Sequence, residues 1–262
     1  MYVLRGPPAS EDPHSASSWE FLGPIAGMDQ KQWAIDGTVF ELEGGLYFAY
    51  SGWPIERAPD DYDERTQQLF ILRLHDPATA ASAPVRISHP AESWERSGEA
   101  GINEGPQWLE SPDGGRTWRG LVYSCAGSWT KEYKMATLRY CGGNPLDPKA
   151  WRKGERPLLQ NAGRPPWGPG HGNFVRVGEE TLAVFHGTEG EGDGHGGRMG
   201  WVQRVGFGGD GPWMGGAVGP VTRDVRRFER GGDEGGGAGG KHGGTGEKLK
   251  GLLHSLKNRM DG

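Results

Sequence analysis

The chain has 262 residues, including 48 Gly and 19 Pro, with 34% hydrophobic residues and a formal net charge of −5. That acidity excludes a surface built for nucleic acid, and the Gly and Pro content suits a β-protein with many tight turns better than a helical bundle. No run approaches the ~20 apolar residues of a membrane-spanning helix. The two Cys, Cys125 and Cys141, are too few for a disulfide framework and read as two small buried thiols.

In chain order, short runs rich in Val, Ile, Leu, Tyr and Phe, broken by Gly and Asp-Pro, predict antiparallel strands. Two come first, at residues 2–5 and 18–25. A group of four follows: 36–41, a Gly44-Gly45 turn, then 46–51, 68–74 and 84–88. A second group repeats the order at 106–109, an Asp113-Gly114-Gly115 turn, 119–124, 134–140 and 156–159. The third is 173–177, 181–186, 199–205 and a weaker strand around 217–222. Four-stranded units at a fixed period predict propeller blades. The first two strands align with strands three and four of the unit, so the chain is expected to enter mid-blade and to hold about three and a half blades. Blades bury their faces against neighbours and a ring removes its edges by closing, so at least a half-blade is expected to precede residue 1.

After the third group the composition changes. The expected organisation is an incomplete propeller over residues 1–228, a Gly-rich linker over 229–246 and an amphipathic helix over 247–262. That helix places Leu249, Leu252, Leu253, Leu256 and Met260 at helical spacing with four basic residues between them. Two readings stay open for it, a partner- or membrane-touching element and a solvent-exposed tail. Residues 1–8 carry no charged-then-apolar leader pattern, so export is not encoded in them.

Three segments carry the chemistry. Asp36-Gly37 and Glu104-Gly105 each put a carboxylate at the start of the first strand of a unit, 68 positions apart (104 − 36), and His171 follows after 67 more (171 − 104). In a ring, side chains at equivalent places converge on one axis. Cleaving a glycosidic bond needs a carboxylic acid to protonate the leaving oxygen and a second carboxylate to serve it. Glu104, beside Ile102 and Trp108, is the candidate acid, because desolvation would raise its pKa toward working pH. Asp36 would keep the proton on Glu104 by like-charge repulsion. The competing readings are turn and capping roles for both acids and a structural hydrogen bond for His171. Eleven Trp residues divide between core packing and platforms for the apolar face of a sugar ring.

Residues 33–39 (Trp-Ala-Ile-Asp-Gly-Thr-Val) and 50–54 (Tyr-Ser-Gly-Trp-Pro) resemble glycoside hydrolase family 43, nearest its exo-acting α-L-arabinofuranosidases. Residues 86–90, Trp94-Glu95, 103–106, Tyr123-Ser124, Trp129, Tyr133 and 168–171 extend the likeness, which runs from residue 1 to about 225. The resemblance implies a five-bladed β-propeller and an inverting mechanism with three central acids. Glu104 matches the general acid and Asp36 the acid that tunes and orients. His171 matches a residue beside a central ion, Ca²⁺ or Na⁺ with waters; from its place alone it could also hold a substrate hydroxyl. No residue matches the general base, which the family carries in its first blade. The implied substrates are arabinan or arabinoxylan oligosaccharides, with Trp33, Trp53, Trp108 and Trp129 as sugar platforms, and the implied location of the family is extracellular. Rival readings are a noncatalytic carbohydrate-binding propeller and a β-xylosidase or endo-arabinanase of the same family.

Overall fold

Apolar residues alternate with a period of two along each central strand, and both sets are buried, so the strands read as almost continuous apolar runs. A computed structural model describes residues 1–8, 10–14, 19–55, 66–98 and 101–214 and shows why. Among these residues the chain is all-β, relieved by short 3-10 turns. A two-stranded sheet pairs β1 (Tyr2–Arg5) with β2 (Glu20–Pro24). Sheet I runs β3 (Ala34–Leu42), β4 (Gly45–Gly52) and β5 (Gln68–Asp76), with β6 (Thr79–Ala80) and β7 (Val85–Ser88) both pairing β5. Sheet II runs β8 (Asn103–Glu110), β9 (Arg119–Cys125), β10 (Lys134–Tyr140) and β11 (Trp151–Lys153). Sheet III runs β12 (Trp167–Val177), β13 (Glu180–Thr188), β14 (Arg198–Gly208) and β15 (Gly211–Met214). All the strand pairs within these sheets are antiparallel.

The sheets stack face to face, and alternation decides which residue serves which interface. In β4, Tyr47 and Ala49 enter the core shared with sheet II, while Phe48 and Tyr50 enter the core shared with β1 and the turn behind it. In β5, Leu69 and Ile71 face one way, and Phe70, Leu72 and Leu74 the other. Sheet II sends Leu121, Tyr123, Ala136 and Leu138 toward sheet I, and Val122 and Met135 toward sheet III. Each such aliphatic side chain contributes roughly 1.5–3 kcal/mol by leaving water. The first strands of successive sheets also touch, β3 against β8 and β8 against β12, so these three are the inner strands. The two-stranded sheet differs: Val3 packs inward, but Tyr2 and Phe21 remain 69% and 64% exposed.

Several expectations need correction. The fourth strand of sheet II is Trp151–Lys153, not residues 156–159, of which Leu159 makes only an isolated bridge to Met135. Asp147 caps the short helical turn before it through Lys149 N–H, and this turn brings the chain back to β10 earlier than the hydrophobic pattern indicated. The fourth strand of sheet III is Gly211–Met214; residues 217–222, the Gly-rich linker and the tail helix lie outside the described residues. Both thiols are free, but only Cys125 is buried; Cys141 is exposed in the turn after β10.

Candidate active site

Each inner strand is interrupted at the same place. Ile35 pairs with Ser51 and Thr38 with Ala49, which leaves Asp36 and Gly37 opposite Tyr50 alone. Glu104 pairs with Ser124 and Gln107 with Val122, leaving Gly105 and Pro106 opposite Tyr123. Gly170 pairs with His186 and Asn173 with Val184, leaving His171 and Gly172 opposite Phe185. These are β-bulges, which bend a strand and re-aim a side chain. The first residue of each is left-handed, with φ of 57° at Asp36, 57° at Gly105 and 53° at His171. Gly adopts this conformation freely; Asp and His are among the few others that visit it, at roughly 1–2 kcal/mol. The site therefore stores backbone strain where its polar side chains are presented.

The three bulges meet. Gly105 N–H donates to Asp36 Oδ2 at 3.2 Å, and His171 Nε2 lies 3.7 Å from Asp36 Oδ1. A methyl group on Gly105 would come within 3.2 Å of the His171 ring, so a larger residue there would have to push that ring aside. Asp36, His171 and Glu104 thus come together as the sequence predicts, but one residue out of the expected register. Asp36 corresponds to Gly105, 69 positions on (105 − 36), and His171 follows after 66 (171 − 105). Glu104 corresponds instead to Ile35 and Gly170. Matching carboxylate to carboxylate misses this, because the bulge geometry follows the left-handed residue.

Glu104 is 7% exposed, and its Oε1 accepts the Tyr133 hydroxyl at 2.6 Å. Burial pushes its carboxyl above the ordinary value, the Tyr133 hydrogen bond opposes that rise, and the Asp36 charge adds to it. The Tyr133 hydroxyl also lies 3.4 Å from His171 Nδ1, while His171 N–H donates to Ser124 Oγ at 2.7 Å. Behind Glu104, Asn103 is fully buried and fixed on three sides. It donates to Glu95 Oε1 at 2.8 Å, its side-chain oxygen accepts Ser88 Oγ at 2.7 Å, and its carbonyl accepts Ser51 Oγ at 2.9 Å. Glu95, with no exposure, is held by Tyr123 OH and by both contacts of Lys153 Nζ. The strand that carries Glu104 is thereby pinned to sheet I and to the outermost strand of its own sheet.

His186 is a further member that sequence reasoning missed. It stands in β13 where Ser51 and Ser124 stand in β4 and β9, and its ring is 5.5 Å from Tyr133 and 6.3 Å from His171. Burial pushes it down to about 3, so it is neutral, and its buried Nδ1 has no partner among the described residues. The signal was present as a repeated aromatic-then-polar pair ending each second strand: Tyr50-Ser51, Tyr123-Ser124 and Phe185-His186.

The Trp candidates separate. Trp33 and Trp53 stack on each other at 4.7 Å beside the start of β3 and the end of β4, the same end as Asp36. Trp129, exposed in the β9–β10 connection, shares that end and lines a recess with Trp167 and Arg198. Trp108 does not belong to the site. It lies flat on Phe40, with 4.5 Å between centroids and 3° between planes, within the core between sheets I and II. Among the described residues, no group of three His, Cys, Asp or Glu side chains is placed to hold a metal ion directly.

Comparison with known proteins places the chain in a family. An α-L-arabinofuranosidase of Humicola insolens is 34% identical over 193 residues, covering 71% of this chain and 36% of that protein. An extracellular exo-α-(1→5)-L-arabinofuranosidase of Streptomyces avermitilis is 28% identical over 190 residues, with the same coverages. The match thus spans about a third of the length of these curated relatives. The crystal structure of an α-L-arabinofuranosidase from Lactobacillus brevis superposes with a TM-score of 0.68 at 26% identity, covering 82% of this chain and 65% of that one. The family model of the glycosyl hydrolases family 43 matches residues 9–213, which include all three bulges and every residue of the cluster they form. The chain is a member of glycosyl hydrolase family 43.

Proposed function

We propose that the chain provides the proton-donor centre of an inverting α-L-arabinofuranosidase that removes terminal arabinofuranosyl groups from arabinan or arabinoxylan oligosaccharides. The observation that carries this reading is Glu104, a buried carboxyl raised above its ordinary value, with the Asp36 charge among the causes. In the proposed step Glu104 gives its proton to the glycosidic oxygen as the bond from that oxygen to C1 breaks. Asp36 keeps that proton on Glu104 until the oxygen takes it. Water attacks C1 from the opposite face, and the base that accepts its proton is assigned to no described residue. Trp33, Trp53 and Trp129 are the proposed sugar contacts. His171 is proposed to face a central Ca²⁺ or Na⁺ ion through water. The sheets are proposed as blades of a five-bladed propeller, and secretion is proposed from the Streptomyces relatives named extracellular.

The test is hydrolysis of an aryl α-L-arabinofuranoside by the purified chain beside Glu104→Gln. Turnover that falls by roughly 10²-fold or more in the variant supports the assignment. Turnover that survives it removes Glu104 from the proton-donor role. Arabino-oligosaccharide binding without turnover, unchanged in Glu104→Gln, would give the site to a noncatalytic carbohydrate-binding propeller.

A further inference from the structure

A second cleft lies at the other end of sheet II. The strands fix its position: Glu104 opens β8, whereas the cleft is built where β9 begins and β10 ends, around the turn between β8 and β9. Its volume is about 570 Å³, within the range of small-molecule sites. Four arginines line it, Arg116, Arg119, Arg139 and Arg152, and no carboxylate does.

Three of the arginines, Arg116, Arg139 and Arg152, have no carboxylate partner among the described residues; the fourth, Arg119, is paired with Glu43. Arg139 and Arg152 sit directly opposite each other on adjacent strands, so their side chains leave the same face of the sheet. Like charges in that position repel, and a cross-strand partner of opposite sign would be the stabilising choice. Arg139 donates to the Thr117 carbonyl at 3.2 Å and Arg116 to the Asp113 carbonyl at 3.0 Å, neither of which neutralises charge. Arg152, exposed on the outermost strand, has no ion pair among the described residues. Arg119 pairs with Glu43 and lies 5.0 Å over the Tyr140 ring, which holds its guanidinium at the cleft wall. An acidic chain therefore gathers four guanidinium groups at one spot, each offering a planar fork that matches carboxylate or phosphate oxygens.

We propose that this cleft is an oxyanion-binding site, separate from the Glu104 centre, that takes a carboxylate or phosphate group carried on a small molecule or a saccharide. An anion between Arg139 and Arg152 would convert their repulsion into two charge-assisted contacts. A uronate-bearing glycan and a phosphorylated compound share this chemistry. The site does not depend on the glycosidase reading, and its test does not use turnover.

The experiment is calorimetric titration of the full chain at low ionic strength with three probes: trigalacturonate, inorganic phosphate and uncharged arabinotriose. The variants are Arg152→Gln, Arg139→Gln and, as a marker for the other site, Glu104→Gln. Binding of trigalacturonate or phosphate is expected, weakened by added salt, reduced roughly tenfold in Arg152→Gln and unchanged in Glu104→Gln. Tighter binding of trigalacturonate assigns the site to uronates, and tighter binding of phosphate to phosphorylated compounds. Because Arg152 is exposed and makes no ion pair among the described residues, its variant tests charge without disturbing the fold, and circular dichroism checks this. Failure of both anions to bind at millimolar concentration overturns the proposal. So does binding that is as strong in both arginine variants as in the unaltered chain, or that is lost in Glu104→Gln.

Discussion

Replacing Lys153 with Met isolates the charge that pins the Glu104 strand. Lys153 Nζ donates to Glu95 Oε1 at 2.8 Å, to Glu95 Oε2 at 2.7 Å and to the His89 carbonyl at 2.6 Å. Glu95 has no exposure and the Lys153 side chain 18%. Removing one member of a buried pair leaves the other as an uncompensated charge, which costs about 3–5 kcal/mol. The partial exposure of Lys153 lets water approach, so the lower end, about 3 kcal/mol, is expected here. That is a large share of the ~5–15 kcal/mol stability of a typical domain. Urea denaturation followed by tryptophan fluorescence should show a midpoint lowered by more than about 1 M, for slopes of ~1–3 kcal/mol/M. The decisive comparison is the double variant Lys153→Met with Glu95→Gln. Gln keeps one oxygen to accept from Asn103 and Tyr123 but carries no charge, so at least half of the loss should return. A double variant as unstable as Lys153→Met alone would refute the argument, since the cost would then come from lost packing or from the His89 contact.

Three further outcomes follow from the site. Glu104 has its folded-state pKa above the ordinary 4.5, so the folded chain holds that proton more tightly than the unfolded chain does. Stability is therefore lost as pH rises from about 4.5 through the folded value. Glu104→Gln should melt higher than wild type at neutral pH and no differently below that window, and a lower melting temperature at neutral pH would contradict it. Asp36→Asn should move the Glu104 titration, followed by side-chain carboxyl ¹³C NMR, to lower pH, because the repelling charge is gone. Tyr133→Phe should move it higher, because the lost hydrogen bond favoured the carboxylate, and shifts in the same direction for both variants would sink the assignment. Gly105→Ala places a side chain at φ 57° and against the His171 ring. It should cost about 1–2 kcal/mol in denaturation and shift the His171 imidazole resonances, and a neutral substitution would show that the bulge is not constrained as described.

Much of the architecture was legible because apolar strands with two buried faces announce themselves. Runs such as residues 46–51 and 68–74 have no other use than a strand between two cores, and they appear as β4 and β5. Outer strands were harder. Trp151–Lys153 is three residues long, and one of its alternating positions is the charged Arg152, so residues 156–159, with Pro-Leu-Leu, looked more strand-like than the true edge. Trp108 was misjudged for a related reason. Its place near Glu104 in sequence suggested a sugar contact, but four residues along an extended strand is ~13 Å, which carries it past the site to Phe40. Cys141 follows the same pattern, one residue beyond the buried Tyr140 and already in the turn.

The one-residue offset between Asp36 and Glu104 bears on how two carboxylates work at one centre. Had both occupied the equivalent place in their bulges, both would carry left-handed strain and both would aim at the axis from the same level. Instead Asp36 takes the bulge position and spends one oxygen on the Gly105 N–H and faces the His171 ring with the other. Glu104, one residue earlier and in ordinary register with Ser124, turns to Tyr133. The residue that bridges the two acids is Gly105, whose amide binds one while its neighbouring peptide carries the other. Asp36 can therefore raise the Glu104 carboxyl by its charge without competing for its proton through a direct hydrogen bond. This arrangement favours Gly at 105, where a side chain would press on the His171 ring, and tolerates Asp and His at the other two bulges.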